Sequence, residues 1–142
     1  MATKREQILA AVKTALTGTT GVGTRIYRSR VTATSRDKSP SIVIEPVSDT
    51  PRDNSATYEK LDWTLRIRIV VVVRGNIPDN LADPTINSLH KKVVADPTLG
   101  GLAIDISAGP TTFELLDADK PAGIILCEYF IDYRTATTDL SA

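Results

Sequence analysis

Leu61-Asp-Trp-Thr-Leu-Arg-Ile-Arg-Ile-Val-Val-Val-Val-Arg74 is the stretch whose reading decides the fold. Successive strand side chains point to opposite faces. Asp62, Thr64, Arg66 and Arg68 therefore share one polar face, which Val70 and Val72 then turn apolar. A strand polar on one face at its start and apolar on both at its end needs cover on both sides of its far end. Gly75 ends it, and a Pro/Asp-rich connection leads into one amphipathic helix. From Tyr58 to Asp96 there is no catalytic constellation, which points to a protein that works through its surfaces.

Upstream, Thr3-Lys-Arg-Glu6 has the spacing of a capping box, a hydroxyl at the N-cap and a carboxylate three residues on. Ile8, Leu9, Val12 and Leu16 mark one helical face, so the spacing predicts a helix over 4–16, stopped by the Gly/Thr segment 17–24. Strands are expected at 25–31 and 41–47, with Pro46 placing the end of the second at an edge or bulge. Polar loops are expected at 33–40 and 48–57, and mobile exposed loops are favoured contact elements.

Downstream, residues 76–82 read as a connection and Asp83-Pro84 as a helix start, a carboxylate N-cap followed by proline at the first helical position. Ile86, Leu89 and Val93 form the expected buried stripe, and Asp96-Pro97 ends the helix. Strands at 102–106, 111–116 and 124–133 complete the chain, with Cys127, Tyr129, Ile131 and Tyr133 on one face of the last.

The expected architecture is α+β, a single domain over 1–134 with a polar tail at 135–142. Its sheet is five- to six-stranded and mixed, mostly antiparallel, with two helices packed on one face in the order α-β-β-β-α-β-β-β. Val70, Val72, Ile124, Leu126 and Phe130 then lie on the face without helices. A folded-back loop or a neighbouring subunit should cover them, and the neighbour is favoured because large apolar patches mark interfaces.

Composition fits this reading. The chain has 142 residues, 42% hydrophobic and 24% charged, enough for one core. No apolar run approaches the roughly 20 residues needed to span a bilayer, and the lone Cys127 permits no intrachain disulfide. Net charge is zero but uneven: residues 1–40 hold eight basic side chains against two acidic ones, leaving +6 there and −6 in the remainder. Nucleic acid, or complementary edges joining one copy to the next, could account for this split, as could a plain solvated surface.

Candidate chemistry is sparse. His90, the single histidine, is expected mid-helix with its nearest upstream carboxylate, Asp83, seven residues away, too far for helical pairing. One His and one Cys without ligand spacing make no zinc site, and Asp117-Ala-Asp119 lacks the ligand ladder of a calcium loop. The glycines of 18–23 follow a helix and precede a strand, the reverse of a phosphate loop. No cofactor or metal is expected and the chain is read as a non-enzyme. Arg28 and Arg30 share a face of the first strand. If that face coincides with Arg66 and Arg68, the four make a mixed stripe suited to ion pairing between subunits, with a solvated sheet face as the plain alternative.

Taken together, the chain resembles the tail terminator (tail completion) proteins of long-tailed bacteriophages. The likeness lies in the N-terminal helix before Arg25-Ile-Tyr, then Pro40-Ser-Ile-Val-Ile-Glu-Pro46, Leu61-Asp-Trp-Thr-Leu and Val73-Arg-Gly75. It continues through Ala82-Asp-Pro84, Thr98-Leu-Gly-Gly-Leu-Ala-Ile-Asp105 and Tyr133-Arg-Thr135. The resemblance implies a virion tail subunit, assembled in the bacterial host cytoplasm, that forms a homohexameric ring on the last ring of the tail tube. Such a ring halts polymerisation of the tube protein and offers a docking surface to the head–tail connector, with DNA passing through its lumen without sequence recognition. No residue role carries over from the family. The candidate interface residues are therefore Arg28, Arg30, Arg66, Arg68, Val70, Val72, Leu126 and Phe130. The alternatives are another ring-forming neck or tube component, or a nucleic-acid-binding module using Arg25, Arg28, Arg30 and Lys38.

Overall fold

The computed structural model describes residues 2–28, 40–52, 60–116 and 122–142. Helix α1 spans Lys4–Leu16, with Thr3 at its N-cap accepting a 3.2 Å hydrogen bond from the Glu6 amide. Half of the expected capping box is thus present. Glu6 turns its carboxylate to Arg28 and not back to the cap.

Three strands follow: β1 at Ile26–Arg28, β2 at Ser41–Pro51 and β3 at Lys60–Arg74. Helix α2 covers Pro78–Val94, and β4 (Asp105–Leu116) and β5 (Ala122–Ala136) close the chain. The strands form one mixed sheet in the order β1-β2-β3-β5-β4. β1 runs parallel to β2 and every other neighbour pair is antiparallel. The fold is α+β, as the hydrophobic pattern requires.

The long central strand earns its length from its neighbours. Fifteen residues of β3 pair with β5 without a break, from Lys60 opposite Ala136 to Arg74 opposite Ala122. Its odd-numbered positions from Leu65 to Val73 are buried in one core with Ile42, Ile44, Ile125, Cys127, Tyr129 and Ile131. Both helices close over this face: Ile8, Leu9, Val12 and Leu16 of α1, and Ala82, Leu89 and Val93 of α2, belong to the same core. Leu65, Ile67 and Ile69 are all fully buried, each contributing roughly 2–3 kcal/mol of transfer free energy.

Four boundaries differ from expectation. β2 continues to Pro51, so 48–51 is strand where a loop was expected, because pairing with β3 resumes after a register shift between Pro46 and Ser48. Proline cannot donate to a ladder, and the bulge beside it accommodates that loss. The expected strands at 102–106 and 111–116 are one strand starting at Asp105. A shift between Ala108 and Thr111 absorbs Gly109-Pro110, and pairing with β5 continues on both sides. The sheet thus has five strands and the order is α-β-β-β-α-β-β.

Helix α2 begins at Pro78 and not at Asp83-Pro84; Pro84 lies inside it. Its first turn is fixed by packing. A Cβ on Gly123 would lie 2.5 Å from the Cβ of the rigid Pro78 ring, so this glycine lets the turn sit directly on the sheet end, while the exposed Leu81 side chain lies over Gly75. Finally, β5 extends to Ala136, and the Lys4 amide donates to the Leu140 carbonyl at 2.7 Å, bringing the C-terminal segment to the start of α1.

Candidate functional site

The face of the sheet opposite the helices is built from the even-numbered residues of β3 and β5 and their partners. Register stacks them into rows. Asp62 stands opposite Arg134, and Thr64 opposite Asp132. Arg66 faces Phe130; Arg68 lies between Glu45 of β2 and Glu128 of β5. Beyond them come Val43, Val70 and Leu126, then Ser41, Val72 and Ile124. One end of the face is therefore charged and the other apolar.

Glu128 is the centre of the charged end. Only 7% exposed, its carboxylate accepts from Arg66 Nη2 at 2.7 and 2.8 Å and from Arg66 Nε at 3.2 Å. Arg68 stands 3.8 Å from both Glu128 and Glu45. Such a fork-on-fork pair satisfies a carboxylate largely withdrawn from water. Gly109, in the β4 bulge, makes the seat: a Cβ there would come within 2.8 Å of the Phe130 ring and 3.2 Å of Glu128.

At the strand ends, Arg134 binds Asp62 at 2.6 Å and holds its carboxyl below the ordinary carboxylate range. Arg52 ion-pairs with Asp132, which also accepts from Thr64 at 3.0 Å, and this pairing raises the Arg52 guanidinium.

The structure thus divides the sequence-derived interface residues. Arg66, Arg68, Val70, Val72, Leu126 and Phe130 share the helix-free face. Val70 stands opposite Leu126 in register; Phe130 lies beyond the charged row, opposite Arg66. Arg28 does not join them. It lies opposite Ile44, on the helix side, and pairs with Glu6 of α1. A basic stripe combining it with Arg66 and Arg68 is ruled out by register: in the parallel β1–β2 pair, opposed residues share a face, and Ile44 is core. The Glu6 hydrogen bond raises the Arg28 guanidinium and lowers the Glu6 carboxyl. Arg30 lies outside the described residues, as do positions 33–39 and 53–57 of the two expected loops.

Arg66 and Arg68 are also already paired within the chain, which sequence reading missed. Their partners Glu45 and Glu128 lie 23 residues before and 60 after Arg68 in the sequence, and only the register brings them together. The signal present in the sequence is that every charged residue of the β3 and β5 segments falls at an even-numbered position, so that acids and bases of both strands share one face.

On the helix side, His90 is exposed on α2 and its Nδ1 lies 2.9 Å from the hydroxyl of buried Tyr129, with the rings 5.9 Å apart. Burial pushes the Tyr129 hydroxyl well up and the Cys127 thiol to about 11, with the Thr111 hydroxyl partly offsetting the latter. Neither is poised as a nucleophile. Asp49 accepts from the Tyr133 hydroxyl and lies 3.4 Å from Arg5, which ties α1 to the sheet beside Trp63. Among the described residues no group of three or more His, Cys, Asp or Glu is gathered to hold a metal ion, and no helix is long and apolar enough to cross a membrane.

No family model matches the chain, and no curated protein is significantly similar to it.

Proposed function

We propose that this chain is a structural subunit of a long-tailed phage virion, a tail terminator that assembles as a ring on the tip of the tail tube. In that role it stops tube polymerisation and presents a docking surface to the head–tail connector, while DNA passes through the lumen. The reading rests on the resemblance of segments spread along the chain and on one structural observation. The described elements leave one sheet face without helices, and that face pairs its charges internally while keeping half-buried Val72, Leu126 and Phe130 at its surface. A face with satisfied charges and residual apolar area suits packing against another protein more than binding a polyanion.

The pairing of Arg28 with Glu6 weighs against the nucleic-acid module, because it removes one cation from the proposed basic set. A tube or connector subunit remains the nearest competitor. Light scattering on a size-exclusion column, with negative-stain imaging of the heaviest peak, separates the two. A terminator gives single closed rings that do not stack, whereas a tube subunit gives stacked rings. Phage lacking the gene should grow tails of uncontrolled length; tails of normal length would overturn the proposal.

A further inference from the structure

The outer edge of β4 has features that the fold does not use. β4 is the last strand of the sheet, and among the described residues no strand pairs with its free side. Proteins blunt such edges with bulges, prolines and lysines. Here the bulge and Pro110 protect only the first half; Thr111-Thr-Phe-Glu-Leu-Leu116 carries none of these devices. Phe113 and Leu115 lie on the helix side of the sheet yet are 56% and 67% exposed, because the helices do not reach over that corner. Ile77 and Leu81, at the start of α2 and the same end of the sheet, are 58% and 49% exposed.

Charge identifies what fits there. Every ionisable residue of β4 and of the first two turns of α2 is acidic and exposed: Asp105, Glu114, Asp79 and Asp83. At the opposite edge of the sheet, residues 2–28 (α1, its loop and β1) carry five basic side chains against Glu6 alone; Arg28 pairs with Glu6 and Arg5 with Asp49 of β2, and Lys4, Lys13 and Arg25 keep that side net positive. Two β4 edges would therefore repel each other, while the β4 edge of one copy attracts the β1 side of the next. We propose that the 111–116 edge, with Phe113 and Leu115 as its apolar anchors, receives the basic α1–β1 side of a second copy of this chain. The contact is heterologous, so an open assembly keeps one free β4 edge and one free α1–β1 side at its two ends until it closes. Closure into a ring rests on the function proposed above; the contact itself does not.

The test uses the full chain and the double variant Phe113→Ser/Leu115→Ser, with Asp79→Lys/Glu114→Lys as a second variant that leaves the apolar anchors in place. Sedimentation velocity across a wide concentration range should show wild-type association that weakens as salt is raised. Both variants should associate at least about tenfold more weakly while keeping the wild-type circular dichroism spectrum. Amides of 111–116 should gain hydrogen-exchange protection as wild-type protein is concentrated. Because its basic side is intact, the serine variant added in excess should cap wild-type assemblies and shrink them.

Wild-type protein monomeric at every concentration, or variants that associate as tightly as wild type, would overturn the inference. The two proposals fail separately. Open chains or dimers abolished by the variants leave this contact standing and remove the ring; closed rings that the variants do not disturb leave the ring and remove this contact.

Discussion

Replacing Arg66 should destabilise the protein more than replacing its partner Glu128. Arg66→Met keeps an apolar stem but leaves the buried Glu128 carboxylate without its three hydrogen bonds from Arg66. Removing one member of a buried pair costs about 3–5 kcal/mol. Two features lower that figure: the Arg66 side chain is 40% exposed, so water reaches the site, and Arg68 stands 3.8 Å from the same carboxylate. A loss of about 2 kcal/mol is expected. Glu128→Leu behaves differently. Arg66 can then turn into solvent, and the leucine lies between Leu126 and Phe130 on the same face of β5, so the cost stays within about 1 kcal/mol. The double variant should match Glu128→Leu alone, giving a coupling of about 2 kcal/mol, the full cost of Arg66→Met. Urea unfolding measures all four proteins; with slopes of about 1–3 kcal/mol per molar, Arg66→Met should lower the midpoint by roughly 1 M. If Arg66→Met proves as mild as Glu128→Leu, or the two effects simply add, Glu128 is not held by this pair and the account of the charged face is wrong.

Gly123→Ala should cost about 1–3 kcal/mol, because its methyl would sit 2.5 Å from the rigid Pro78 ring and push α2 off the sheet; an unchanged melting temperature would contradict that packing. Pro84→Ala should stabilise the protein by about 1–2 kcal/mol. It restores an amide donor inside α2, offset in part by a freer unfolded chain, and thermal unfolding reads the sign. Cys127 should resist maleimide at pH 8 in native protein and react readily in denaturant. Its thiol is held neutral by burial, so this contribution to stability is complete below about pH 9 and is lost as pH rises through about 11. Rapid native labelling at pH 8 would show that the core face of β5 opens locally.

The elements themselves were legible in the sequence because local physics dominates them. The apolar spacing of Ile8, Leu9, Val12 and Leu16 and the cap at Thr3 define α1 to the residue, and the alternation from Leu61 to Arg74 defines the central strand. The α+β class follows, since two amphipathic helices and several half-apolar strands have few ways to share one core. The start of α2 was not legible. Asp83-Pro84 is the stronger local start signal, but Pro78 seats against Gly123, which the chain brings near only by folding. The single strand β4 was hidden for the same reason: Gly109-Pro110 reads as a break until β5 pairs on both sides of it.

Among the candidate surface residues, the division is just as physical. Sequence parity alone places Arg66, Arg68, Val70 and Val72 on one face of β3, and likewise Leu126 and Phe130 on one face of β5. Whether Arg28 joins them depends on the register of a three-residue parallel pair, where a shift of one position exchanges faces. Which acids neutralise the arginines, and which strand is left at the open edge, depend on strand order and pairing across tens of residues. Alternation along a strand is a property of the local backbone, which the sequence writes directly. Strand order and register come from the competition of all strands for one core, and only the tertiary structure decides them.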